Sequence, residues 1–103
     1  MRLQKVEFTA LCEKIRAIVQ AGDYLQAEKE AAVAMCEHPD APEPHNLMGI
    51  IMEKQNNHVG AMKHFRAACA LDPSYRPARI NLDQYCNFSS GWRNDIFDES
   101  DLS

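Results

Sequence analysis

Glycine is scarce in this chain, and its few copies do not cluster: Gly22, Gly49, Gly60 and Gly91. A loop that cradles phosphate needs grouped glycines, because the backbone must approach the phosphate closely, so such a loop is excluded. Neither a GxSxG sequence nor an HExxH pair occurs, which removes two common hydrolase signatures. Because catalysis needs an activated nucleophile, paired carboxylates in a pocket or a metal centre, we predict that the chain is not an enzyme.

Long apolar runs are missing as well. No stretch approaches the roughly 18 consecutive apolar residues that a membrane-spanning helix needs. The N-terminal residues mix charges with apolar side chains and lack the apolar core of a signal peptide. We therefore expect a cytoplasmic protein with no membrane partner.

Closely spaced metal ligands are also lacking. The four cysteines show no CxxC spacing: Cys12, Cys36, Cys69 and Cys86. Zinc sites usually use closely spaced pairs of thiolates or imidazoles, and the histidines are not paired in this way either. We expect reduced cysteines packed on helix faces, with a metal or disulfide role as the alternative, and we predict neither a metal nor a cofactor.

The net charge of −4 at pH 7 is concentrated at the C-terminus. From Ser89 onward there are four acids (Asp95, Asp98, Glu99 and Asp101) and one base, so the body of the chain is nearly neutral. Binding to phosphate backbones depends on clustered lysine and arginine. Nucleic acid is therefore not an expected partner.

What the chain does contain is a helix–turn–helix unit of 34 residues, at positions 42–75. Small residues mark the positions where two antiparallel helices would approach closely, a large one fills the space beside them, and proline ends the unit: Gly49, Ala61, Phe65, Ala68 and Pro73. One repeat length earlier, Ala27, Ala34 and Pro39 fill three of these positions unchanged, whereas Phe65 corresponds to Ala31 and Gly49 to Ile15. The matching turns are Gly22-Asp23-Tyr24 and Asn56-Asn57-His58.

This pattern resembles the tetratricopeptide repeat, over about residues 8–88 and most specifically over 42–75. The resemblance implies an all-α fold, a short helical solenoid with repeats at about 8–41 and 42–75. A terminal repeat needs a cap, and a helix at about 75–88 is suited to that role, which gives a domain over 1–88. An unrelated pair of amphipathic helices is the alternative explanation. Apolar periodicity and the positions of proline predict helices at 6–21, 24–37, 42–55, 58–71 and 75–88.

The last segment, 89–103, is an acidic tail with three large apolar residues, Trp92, Ile96 and Phe97. Disordered tails are usually poor in such groups. Three alternatives stay open: the tail packs on its own chain, docks to another molecule, or is disordered. If it packs, it is expected to cover the apolar strip described next, in its own copy or in a second one.

In the tetratricopeptide family the first helix of each pair lines a concave groove. Transferring the groove positions to this sequence gives Thr9, Cys12, Arg16 and Gln20 on the first helix, Glu43, Asn46, Ile50, Glu53 and Lys54 on the third, and Ile80, Gln84 and Phe88 on the fifth. Cys12, Ile50, Ile80 and Phe88 would form an apolar strip edged by polar groups. A strip of this kind suits an amphipathic helix or an extended peptide.

Some members of the family clamp the C-terminal carboxylate of chaperones with lysine, asparagine and arginine. Here the corresponding positions hold Cys12, Arg16, Leu47, Pro77 and Asn81, so only one cation remains and this use is not expected. The resemblance implies a protein-interaction adaptor or scaffold that binds a protein or peptide in the groove. The alternative is a structural, self-associating protein, with a homodimer among its forms, whose tail occupies the groove.

Overall fold

Five α-helices and one short 3₁₀-helix make up the part of the chain that the computed structural model describes, residues 2–86 and 95–102, with side chains from residue 6. The α-helices are α1 (Arg2–Gln20), α2 (Tyr24–Glu37), α3 (Glu43–Lys54), α4 (His58–Leu71) and α5 (Arg76–Cys86), and the 3₁₀-helix spans Glu99–Leu102. The predicted all-α class is confirmed for these residues. None of the described helices is long and apolar enough to cross a membrane.

The helix boundaries follow the prolines and turns. Helices α2 and α4 have the predicted bounds, whereas α1 begins at Arg2 and not near residue 6. The predicted start ignored the first polar turn, which helix propagation can include without an apolar face. Phe88 and Trp92 lie outside the described residues, so the predicted end of the fifth helix is not tested.

The α1–α2 turn and the α3–α4 turn have the same local structure. Gly22 and Asn56 both have positive φ, at 85° and 64°, a conformation that favours glycine and tolerates asparagine. The next residue in each turn caps the following helix: Asp23 accepts from the Gln26 N–H and Asn57 from the Gly60 N–H. A left-handed residue that ends one helix, followed at once by an N-cap, makes the tight reversal possible.

Alanines line the contact between successive helices. Ala27, Ala31 and Ala34 on α2, and Ala61 and Ala68 on α4, are fully buried. Each helix packs against the next one in the chain, and α3 also contacts α1 and α5. Helix α3 is therefore the central element, and much of its length is buried.

The closest approach joins Gly49 on α3 to Phe65 on α4. A β-carbon at Gly49 would lie 2.5–2.8 Å from three atoms of the Phe65 ring, far inside van der Waals contact. In the first helix pair the sizes are reversed, because Ile15 on α1 and Ala31 on α2 occupy the equivalent positions and both are fully buried. The two helix pairs thus place one large and one small side chain at this contact, with the large one on opposite members of the pair.

We predict that Gly49→Ala lowers the free energy of unfolding by about 1–3 kcal/mol, because the added methyl group must displace the fully buried Phe65 ring. Urea unfolding followed by circular dichroism measures the change. In a Phe65→Leu background the same substitution should cost less, since the smaller side chain frees the space. Equal costs in the two backgrounds would contradict the proposed contact.

Candidate functional site

The C-terminal residues 95–102, here called the tail segment, lie across α1, α3 and α5. Their contacts include Arg16 on α1, Asn46 and Lys54 on α3, and Asn81 on α5. Ile96 is the inward-pointing apolar residue of the segment and is only 5% exposed. These three helices carry the predicted groove positions, and residues 95–102 of the same chain cover part of that surface.

Two asparagines hold the tail segment by its backbone. The Asn81 amide donates to the Ile96 carbonyl oxygen at 2.8 Å and accepts from the Ile96 N–H at 3.0 Å. Asn46 donates to the same carbonyl oxygen at 3.0 Å, and its own oxygen accepts from Asn81 at 2.8 Å. Both asparagine side chains are completely buried. Because a buried amide without partners is costly, these bonds fix both the groove and its occupant.

One end of the tail segment is fixed by an ion pair. The Lys54 Nζ lies 2.8 Å from an Asp95 carboxylate oxygen, and the Tyr85 hydroxyl donates to the other oxygen. The hydrogen bond to Asp95 raises the pKa of Lys54, although partial burial opposes this change. Tyr85 also stacks on Phe65, with 6.0 Å between ring centroids. This end of the groove is thus tied to the packing between α4 and α5.

Arg16 organises the other end. Its guanidinium donates to Asp98 at 3.1 Å and to Asp101 at 2.9 Å. It also lies over the Phe97 ring, 4.7 Å from the centroid, which is a cation–π contact. Asp101 in turn accepts from the Phe97 and Asp98 N–H groups, so it closes the turn before the 3₁₀-helix.

The surroundings of Asp101 change its titration. Partial burial by itself would raise the pKa of this carboxyl, but the hydrogen bonds from Arg16 and from two backbone N–H groups outweigh burial and hold the pKa below its ordinary value. Asp101 is therefore a carboxylate at neutral pH, and its charge supports the docked tail.

The predicted groove residues fall into several environments. Six of them line two cavities beside the tail segment: Thr9, Cys12, Arg16, Gln20, Glu43 and Lys54. Asn46 is buried beneath the tail, and Gln84 donates to Asn81. Ile80 is half-buried, whereas Phe88 lies outside the described residues.

Two predicted groove residues are placed differently from expectation. Ile50 is fully buried within the main core cluster, so it does not form part of an open apolar strip. Glu53 pairs with His58 at 2.6 Å, next to the turn that joins α3 and α4. Local packing thus decides which of the predicted side chains remain accessible.

The role of Asn81 was not foreseen from the sequence, nor were those of Tyr85 and the tail carboxylates. Asn81 follows Asn46 by 35 residues, close to the repeat length, and this spacing was the available signal. The acids of the tail pair with Arg16 and Lys54, which are distant in the sequence, so this pairing is a tertiary effect that no local pattern indicates.

The other reactive side chains do not assemble into a centre. Within the described residues, no group of three histidine, cysteine or acidic side chains is placed to hold a metal ion. The four cysteines are free thiols, and burial is the main cause that raises the pKa of Cys12 to about 12. His45 and His64 share a hydrogen bond between their Nδ1 atoms at 3.0 Å, and burial lowers the pKa of both. The histidine pair links α3 to α4.

No protein-family model matches the chain, and no curated protein is significantly similar to it.

We predict that Asn81→Ala selectively exposes the tail segment. The protection of the Ile96 amide against hydrogen exchange should fall by about one to two orders of magnitude, because leaving a buried polar group unsatisfied costs about 1–3 kcal/mol. Amides in the middle of α2 should change less. Gln55→Ala, at an exposed site, is the matched control, and equal loss of protection in both variants would refute the role of Asn81.

We also predict that acid releases the tail segment. Because the folded-state pKa of Asp101 is depressed, its stabilising contribution is complete above the ordinary value and is lost as pH falls through the lower folded value, that is, below about pH 4. The NMR signal of the Ile96 amide, followed from pH 7 to pH 2.5, measures this release. Asp101→Asn should weaken tail docking at neutral pH and flatten the profile, whereas Asp40→Asn, on the exposed surface, should do neither.

Proposed function

We propose that the chain is a tetratricopeptide-type adaptor whose groove binds an extended peptide, and that the tail segment is the internal occupant of this groove. The paired asparagines carry the proposal, because they bond to the backbone N–H and C=O of Ile96 and so demand an extended chain more than a particular side chain. Contact of α3 with both α1 and α5 supports a groove lined by these three helices.

The flanking contacts suggest which peptides fit. Reading along the tail segment, an acid meets Lys54, an apolar residue enters the buried position, an aromatic ring meets Arg16, and a second acid pairs with Arg16. The preferred partner would therefore carry acid–aliphatic–aromatic–acid, the order found in Asp95-Ile96-Phe97-Asp98. Backbone bonds supply affinity and these side chains supply specificity, as in other modes of extended-peptide binding.

A covalently attached occupant has a consequence for any partner. Because the tail segment belongs to the same chain, its effective concentration at the groove is high, and linked binding partners commonly reach the order of millimolar. A partner peptide binds only the fraction of molecules whose groove is open, so its apparent affinity falls by that fraction. The tail segment would thus act as an internal competitor, and only a partner with high intrinsic affinity for the groove would displace it.

A second candidate is a structural role in which the groove is never released, in one copy or between two. The observation that favours it is the complete pairing of polar groups: among the described residues, no buried side-chain nitrogen or oxygen is left without a hydrogen-bond partner. In this case, the C-terminus completes the fold and the surface of the molecule carries no free groove.

Binding of a free peptide to the full-length chain separates the two candidates. A fluorescent peptide with the sequence of residues 94–103 should bind the Ile96→Glu chain at least tenfold more tightly than the unmodified chain, because the buried charge expels the internal tail. Fluorescence anisotropy measures both affinities. The adaptor proposal fails if the Ile96→Glu chain keeps its helical circular dichroism but binds no better than the unmodified chain.

Two controls complete that experiment. Val33→Glu adds the same charge at an exposed position of α2 and should leave peptide binding unchanged. The molecular mass from light scattering should be that of one copy throughout. A dimer of the unmodified chain that dissociates on Ile96→Glu would instead support the self-associating structural role.

A further inference from the structure

A cavity of about 420 Å³ stays open beside the docked tail segment. Aromatic rings of Phe8 on α1, Tyr75 before α5 and Phe97 in the tail segment line it, together with the apolar side chain of Leu47. The volume is within the range of about 300–1,000 Å³ that is usual for ligand sites. Aromatic faces around a cavity of this size suit a ligand with a flat or extended apolar part.

The charges around the cavity are strongly one-sided. Four carboxylates line it, those of Glu13, Glu43, Asp98 and Glu99, against the single guanidinium of Arg16. Arg16 is already bound to Asp98 and Asp101, and Glu99 has only a distant partner in Arg76, at 3.8 Å. Within residues 6–86 and 95–102, Glu13 and Glu43 take part in no ion pair, so neither has a cationic side-chain partner there.

The thiol and phenol in the cavity wall sense this negative field. Burial is the main cause that raises the pKa of both Cys12 and Tyr75, and the carboxylates of Glu43 and Asp98 raise the pKa of each further. These carboxylates lie on different elements, at the start of α3 and in the tail segment. The negative potential therefore belongs to the cavity as a whole.

We infer that this cavity is a binding site for an organic cation on an apolar stem, the chemistry of an arginine or lysine side chain. The apolar stem would lie against the aromatic rings, and the charged head would reach Glu13 and Glu43. The ring faces would also attract the positive charge. The inference goes beyond peptide binding in the groove, because the site lies beside the docked tail and uses tail residues as part of its wall.

The composite wall has a thermodynamic consequence. Because Phe97, Asp98 and Glu99 line the cavity only while the tail segment is docked, a bound cation stabilises the docked state. By reciprocity, the cation weakens, by the same factor, the binding of a peptide that displaces the tail segment without supplying matching aromatic and acidic groups to the cavity wall. The site would thus hold the groove closed until the cation leaves.

Titration of the full-length, isotope-labelled chain tests the site directly. The probe is Nα-acetyl-arginine amide, and Nα-acetyl-citrulline amide is its neutral control with nearly the same shape. We expect saturable NMR shifts at the amides of cavity residues such as Thr9 and Cys12 with the arginine probe, and at least fivefold weaker binding of citrulline. Equal affinities, or shifts that never saturate, would overturn the inference.

Matched variants locate the binding. Glu43→Gln and Glu13→Gln should each weaken the arginine probe by about threefold to tenfold, as expected for one partly solvated charge. Glu37→Gln, an exposed acid on α2 outside the cavity, should leave binding unchanged. Equal effects of all three substitutions would show a general charge effect and refute the site.

A further arm distinguishes the source of the cation. The peptide Gly-Gly-Arg-Gly-Gly, with capped ends, is compared with n-butylguanidine, which carries the same single guanidinium charge as a free small molecule. Tighter binding of the peptide assigns the site to a partner protein, and tighter binding of n-butylguanidine assigns it to a free small-molecule cation. Failure of both overturns the cation site and leaves the peptide-binding proposal to its own experiment.

Discussion

The requirement that buried amides be hydrogen-bonded shapes this molecule more than any other constraint. Asn46 and Asn81 are both completely buried, and each would be an expensive defect without partners. The two asparagines bond to each other, and the backbone of Ile96 and the Gln84 side chain supply further hydrogen bonds. The helices therefore depend on a segment more than a dozen residues further along the chain. The two asparagines and the tail segment form one hydrogen-bonded network. This network gives the tail segment a defined position against α3 and α5.

Charge then determines the direction and register of the tail segment. Lys54 holds its beginning through Asp95, and Arg16 holds its end through Asp98 and Asp101. Ion pairs that are partly exposed add little stability individually, but two cations at opposite ends of the groove favour one register over its neighbours. The apolar contribution is concentrated in Ile96. Under the proposed function, a backbone clamp at the centre with charge recognition at both ends would let the groove accept related peptides and reject others.

Much of the helical fold is readable from the sequence, because residue size marks the helix contacts and turn chemistry marks the reversals between helices. Gly49 implies a close contact, and the Phe65 ring occupies the space that its missing side chain leaves. Gly22 and Asn56 mark the turns through their positive φ. The candidate site is less readable. Asn81 has no local signal beyond a spacing near the repeat length, and the tail acids pair with Arg16 across more than eighty positions. Ile50 is a counterexample: the tetratricopeptide pattern predicts it on the groove surface, but core packing buries it completely.

Ile96 of each molecule is bound by Asn46 and Asn81 of the same molecule. An isotope-filtered nuclear Overhauser experiment on a mixture of labelled and unlabelled chains tests this arrangement. We predict cross-peaks between the Ile96 amide and the side-chain amide protons of Asn46 and Asn81 within labelled molecules, unchanged on dilution. Absence of these cross-peaks, or their appearance only between labelled and unlabelled copies, would refute the binding of the tail segment within one molecule.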